Sequence, residues 1–138
     1  MRRLVVPLIL LIWTGCADPM QPALDWAVFS VSGSEFSAGD ALAAVISNKS
    51  NVSVGIAPCP VSLEERSGEE WHLAQLQIGR SEGALCQAMG VGLRPGGSYE
   101  YHMTVPEGLA AGTYRLSVTA SVDVDSFLLP SSEFQIRP

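Results

Sequence analysis

Short runs in which apolar and polar residues alternate, each closed by Gly, Pro, Asn or Asp, recur from Trp26 onward and admit few folds. A period of two puts one side of each run on a core and leaves the other in water, the pattern of antiparallel strands. Residues 26–32 (WAVFSVS) and 41–47 (ALAAVIS) are such runs, parted by Gly33-Ser34 and Gly39-Asp40. Residues 52–57 (VSVGIA) and 61–66 (VSLEER) follow. Ser67-Gly68 is a hairpin signal leading into residues 70–77 (EWHLAQLQ), where Trp71, Leu73 and Gln75 share a face. Residues 78–92 are glycine-rich and aperiodic, and read as a long loop. Residues 98–105 (SYEYHMTV) put Tyr99, Tyr101, Met103 and Val105 on one face and Glu100 and His102 on the other. Residues 114–124 and 133–137 complete the set, with no helical periodicity between them.

The run Leu109-x-x-Gly112-x-Tyr114-x-Leu116 adds a specific expectation. Gly112 permits a sharp turn between two sheets, and Tyr114 returns its hydroxyl to the backbone at the start of the penultimate strand. That is the tyrosine corner of immunoglobulin-like sandwiches. The fold expected is all-β: an immunoglobulin-like antiparallel β-sandwich of seven to eight strands over residues 26–138, after an N-terminal signal segment. Trp26 and Trp71 are expected in its core, because a small sandwich needs large apolar residues to bury its surface.

The first residues are of another kind. Arg2 and Arg3 precede the apolar run 4–14 (LVVPLILLIWT), followed by Gly15-Cys16-Ala17-Asp18. A positive start and a short apolar run make an export signal, too short for a permanent membrane span. Residues 13–16 resemble the lipobox of bacterial lipoproteins, with Gly15 and Cys16 in the pattern and Trp13 a departure from it. The resemblance implies a signal peptide over residues 1–15, lipidation of Cys16 and a tether over 16–25. Ala17 after the cysteine then implies sorting to the outer membrane, facing the periplasm or the surface. An ordinary cut after Ala17 is the competing reading.

Either cut leaves Cys59 and Cys86, an even pair in an oxidising compartment. A disulfide between them closes a loop of about 28 residues, a stabilisation of about 3.5 kcal/mol in the chain-entropy model. The rival zinc set of Cys59, Cys86, His72 and His102 lacks the close ligand spacings such sites use.

Catalytic constellations do not emerge. The single lysine, Lys49, is outside any S-x-x-K, and there is no G-x-S-x-G, P-loop or G-x-G-x-x-G. Glu64, Glu65, Glu69 and Glu70 read as a solvated hairpin tip, where no pocket raises a carboxyl pKa. Asp123 and Asp125, two apart on one strand, read as guards against edge pairing rather than calcium ligands. The sequons at Asn48 and Asn51 read as turns. Eight basic residues against fourteen acidic ones give a net charge of -6, or about -8 once Arg2 and Arg3 are removed, which disfavours nucleic acid.

Residues 36–40 (FSAGD), 46–50 (ISNKS), Cys59, the Leu63-Glu64-Glu65-Arg66 to Trp71 hairpin, Cys86, 93–98 (LRPGGS), 112–116 (GTYRL) and 132–134 (SEF) together resemble a known family. Their order and spacing are similar to the immunoglobulin-like domains of small bacterial lipoproteins related to the intracellular proteinase inhibitor (BsuPI) type. The resemblance implies folding, not chemistry. The expected function is therefore non-enzymatic: a lipid-anchored envelope protein that takes a protein partner through loops or a sheet edge, with no cofactor, metal or small-molecule substrate. The alternative is a protease inhibitor presenting residues 77–91.

Overall fold

The computed structural model describes residues 26–78 and 90–137; residues 1–25, which hold Cys16, the signal and the tether, and residues 79–89, which hold Cys86, lie outside them. Ten strands form two sheets: β1 (Ala27–Val31), β2 (Glu35–Ser37), β3 (Ala41–Asn48), β4 (Val54–Ser67), β5 (Glu70–Gln75), β6 (Val91–Leu93), β7 (Ser98–Thr104), β8 (Gly112–Val122), β9 (Asp125–Pro130) and β10 (Phe134–Arg137). The fold is the all-β, immunoglobulin-like sandwich expected, with more strands than the sequence pattern separates. One sheet has the order β1-β3-β7; the other runs β2-β10-β8-β4-β5, with β6 also on β4 and β9 also on β8. The long strands β4 and β8 pair in the centre of the larger sheet, and two shorter strands share each of their outer sides.

Alternation places the core. Phe29, Leu42, Ile46 and Met103 of the small sheet face Val54, Leu63, Leu116 and Val118 of the large one, all buried. Each such side chain contributes about 1.5–3 kcal/mol on leaving water. Phe134 of β10 fills the end of this layer, edge-on to Phe36 at 5.5 Å and stacked with Tyr114 at 6.5 Å. At Gly33, φ is +124° and an added Cβ would lie 2.9 Å from the Phe36 ring, so only glycine lets β2 fold back over this cluster.

Three corrections concern boundaries. The two strands expected at 52–57 and 61–66 are one, β4 (Val54–Ser67), interrupted by Pro58-Cys59-Pro60 with a cis Cys59–Pro60 bond. The prolines donate no hydrogen bond, so the ladder to β8 breaks there: five steps from Ala57 to Ser62 oppose two from Thr119 to Ser117. Val91 and Gly92, expected in the loop, form β6 with Leu93, against β4. Tyr114 does not open the penultimate strand, because β9 pairs back on β8 through the turn Asp123-Val124, with Asp123 at φ 53°. Asp123 and Asp125 thus flank a hairpin turn rather than one strand. The break between β9 and β10 is held by Ser131, whose N–H donates to Leu116 O and whose Oγ accepts from Leu116 N–H, both at 2.8 Å. Ser132 carries the contact on to β1, donating its N–H to Phe29 O at 3.0 Å.

Asn48 is the buried polar group that closes the other end. Its Nδ2 donates to Val52 O at 2.7 Å and Leu93 O at 2.8 Å, while Oδ1 accepts from Ser50 N and Oγ. At 1% exposure it is a tertiary staple between β3, the following turn and β6, and as a turn residue it was read too locally.

The two buried tyrosines make an opposed pair. Tyr114 Oη donates to Ala110 O at 2.9 Å, across the corner that carries the chain from β7 to β8. Tyr101 Oη is buried without a partner. Burial first, then neighbouring Tyr99, pushes the Tyr101 hydroxyl far above the ordinary tyrosine range; burial first, then Glu65, raises that of Tyr114. Removing a satisfied hydroxyl and an unsatisfied one should act in opposite directions. Tyr114→Phe is expected to lower unfolding free energy by about 1 kcal/mol, and Tyr101→Phe to raise it by about 1 kcal/mol. Both folded pKa values are raised, so this part of the stability is intact below about pH 10 and falls as unfolded tyrosines ionise above it. Denaturant midpoints between pH 7 and 11 test both statements, with a shallower alkaline fall expected in Tyr101→Phe.

Candidate interaction surface

Strand β5 is the edge of the large sheet, and its residues are exposed on both faces except Trp71, which is half-buried. It follows β4 through Gly68, at φ 64°, and Glu69. Trp71 lies on the outer face, not in the core where its size suggested. Arg115 of β8 reaches across Glu64, with Nε 2.5 Å from Oε2, and lays its guanidinium 4.3 Å from the indole centroid. Arg66 approaches the same ring at 6.0 Å and pairs with Glu133 at 3.4 Å. Two cations, each paired with a carboxylate, thus lie close to the indole. Glu64 and Arg115 are mostly covered, at 14% and 21% side-chain exposure, so their pairing is only partly screened.

This corrects the reading of Glu64 and Glu65 as part of a solvated tip. Glu64 is the counter-ion of Arg115, and Glu65 sits half-buried beside the Tyr114 hydroxyl. Of the four glutamates only Glu69, in the turn, and Glu70, which opens β5, are exposed. Gly112, at the start of β8, is demanded neither by a positive φ nor by a close approach, since a Cβ would reach its neighbours only at ordinary contact distance. A Cβ there would lie 3.4 Å from both Glu65 Oε1 and the Tyr114 ring.

Beyond the indole, Leu73 and Leu76 are 59% and 63% exposed. The stretch Leu73-Ala74-Gln75-Leu76, which runs one residue past the end of β5, holds neither charge nor proline, and its one irregularity is a bulge between Leu73 and Gln75, opposite Glu64 and Leu63. Most other edges are short or covered. β2 and β6 have three residues each, β9 ends in Pro130, and β1 is covered by Ser131-Ser132, while β7 carries Glu100 and His102 much as β5 carries Glu70 and His72. Among the described residues no strand pairs with the outer side of β5. An unguarded edge offers backbone donors and acceptors to another extended segment, with Leu73 and Leu76 to fix its register. The signal in the sequence was that uncharged stretch, which alternation alone does not single out.

The remaining candidates stay apart. Cys59 is half-buried in the break of β4, while Cys16 and Cys86 lie outside the described residues. His72 and His102 point outward from different sheets, each 3.7 Å from a glutamate on its own strand, Glu70 and Glu100. No group of three or more His, Cys, Asp or Glu is placed to hold a metal among the described residues. One shallow groove of about 390 Å³ runs along Val28 and Ser131; another of about 360 Å³ lies over Gly55, Gly92 and Ser121, and neither is lined by an ionisable side chain.

The Trp71–Arg115 contact should be measurable as a coupling. In a double-mutant cycle of Trp71→Ala and Arg115→Ala, unfolding free energies of the four proteins are expected to give an interaction of about 0.5–1 kcal/mol.

No family model matches this chain, and no curated protein matches it either. Among solved structures it is similar to the alkylpurine DNA glycosylase AlkC of Pseudomonas fluorescens bound to DNA containing an abasic site analog. That likeness has 9% identity and a TM-score of 0.43, covering 82% of this chain and 31% of that one, so this chain spans about a third of the glycosylase's length. It is also similar to PapD-like domain 7 of human CEP192, at 11% identity and a TM-score of 0.42 over 92% of this chain and 95% of that one. At these scores neither likeness bears on what the chain does.

Proposed function

We propose that the protein is a non-enzymatic, membrane-anchored lipoprotein of a bacterial envelope whose immunoglobulin-like domain binds a protein partner by strand addition to β5. The observation that carries the reading is the outer edge of β5, with which no strand pairs among the described residues and which leads into the uncharged stretch Leu73–Leu76. Monomeric proteins cover or charge such edges unless something pairs with them. The anchor rests on residues 1–17, where a charged start, an apolar run and Gly15-Cys16 resemble a lipobox, as the domain resembles those of BsuPI-type lipoproteins. Two acyl chains or more at Cys16 hold a domain at a bilayer stably. A Cys59–Cys86 bridge belongs to the same reading, since an exported chain meets an oxidising compartment and Cys59 does not stand as a free thiol.

A second reading, protease inhibition through residues 77–91, is favoured by how both ends of that stretch are held. Ile78 N–H donates to Val61 O at 3.0 Å, and Val91 pairs with Ile56, both partners being in β4.

The full chain expressed in a bacterium is expected in the membrane fraction with the mass of residues 16–138 plus acyl chains, and no thiol open to alkylation before reduction. A lipid-free mass beginning at Asp18 would overturn the anchor, and two alkylatable thiols would overturn the bridge. Titration of secreted serine proteases with the released domain is expected to leave them active; stoichiometric inhibition would put the second reading first.

A further inference from the structure

Strand addition at β5 leaves open what kind of segment is added, and the charges around the strand decide it. The hairpin turn at its start carries Glu69 and Glu70, both exposed. Three neighbouring acids are paired, Glu64 with Arg115, Glu133 with Arg66 and Glu35 with Arg137, and Glu65 lies half-buried beside the Tyr114 hydroxyl. Among the described residues Glu69 has no cation, and Glu70 has only His72, at 3.7 Å. Asp40 and Glu107 stand at the same end of the sandwich, where both arginines, Arg66 and Arg137, are already paired. The cations without an ion pair among the described residues, Lys49 and Arg94, are at the opposite end. Lys49 N–H there donates to Trp26 O, where the chain enters the domain. β5 therefore runs from an uncompensated acidic turn into a neutral, apolar edge.

We infer that the β5 edge accepts an extended segment of a partner protein that alternates apolar and polar residues and ends in basic residues set against Glu69 and Glu70. The inference rests on β5 as the binding edge and adds the partner's chemistry. Antiparallel addition continues the β4–β5 pairing and is the slightly more stable geometry, so the basic end is the C-terminal one. Backbone pairing and the leucines supply affinity, and the charges set direction and register. The acidic turn also lies far from Trp26, so a chain tethered through its N-terminus offers this edge away from the membrane.

Two synthetic ten-residue peptides of alternating valine and threonine, one ending in two lysines and one in two glutamates, test this on the full-length protein in detergent. Readouts are hydrogen exchange of the β5 amides and peptide affinity at low salt. The lysine-ended peptide is expected to protect residues 71–75 and to bind about fivefold more tightly, the size of effect two exposed charge pairs give. Glu69→Lys combined with Glu70→Lys, both exposed, should reverse the preference, and 0.5 M salt should erase it. Equal binding of both peptides with β5 protected would overturn the basic partner and leave strand addition standing. No protection of β5 by either peptide at millimolar concentration would overturn both.

Discussion

The pairing of β4 with β8 is the contact on which the rest of the sandwich depends. Its register runs from Gly55 opposite Ser121 to Glu65 opposite Tyr114, and it survives the interruption at Pro58-Cys59-Pro60. Every other strand of the large sheet except β2 is hydrogen-bonded to one of these two, and β2 joins through β10. Their inward residues Val54, Ile56, Leu63, Leu116, Val118 and Ala120 are at most 2% exposed, so the same backbone ladder also sets the floor of the core. The small sheet adds the other wall and is fastened at its ends, by Asn48 at one and by Ser132 at the other.

The outer face of that central pair divides into two regions of different chemistry. Towards the β4–β5 turn, Arg115, Glu64, Trp71, Arg66 and Glu133 hold one another in place, so a large aromatic residue sits outside the core without being loose. Towards the other end the face is made of small side chains, with Gly55 so close to β8 that a Cβ would meet Ser121 Oγ at 2.6 Å. The ladder stiffens the β4–β5 hairpin from one side while leaving its far edge open. A rigid edge loses less freedom on pairing than a frayed one would, which favours recognition there.

What the sequence disclosed follows from which physical signal each element carries. β1, β3, β7 and β8 alternate cleanly because each buries one face, and their inward residues were legible one by one. β9 was not, since Asp125–Pro130 reads DSFLLP, with adjacent leucines on opposite faces and a proline at its end. β4 read as two strands because its prolines look like a boundary, although the chain runs straight through. Trp71 and Glu64 were misplaced for a shared reason: an aromatic suggests burial and a glutamate suggests water until Arg115, some fifty positions away, is known to lie between them. The edge character of β5 is a property of sheet order, which no local pattern encodes.

Sheet order also governs when the fold can be completed. β10 lies between β2 and β8 and runs parallel to β2, pairing Gln135 with Glu35, about a hundred positions apart. Until residues 134–137 have been synthesised, Phe36 and Tyr114 lack the ring that packs between them, and one side of β8 is half unpaired. A nascent chain therefore cannot lock this sheet in the order in which it is made. The loop that must close is long, which slows the final step and prolongs exposure of the unfinished sheet.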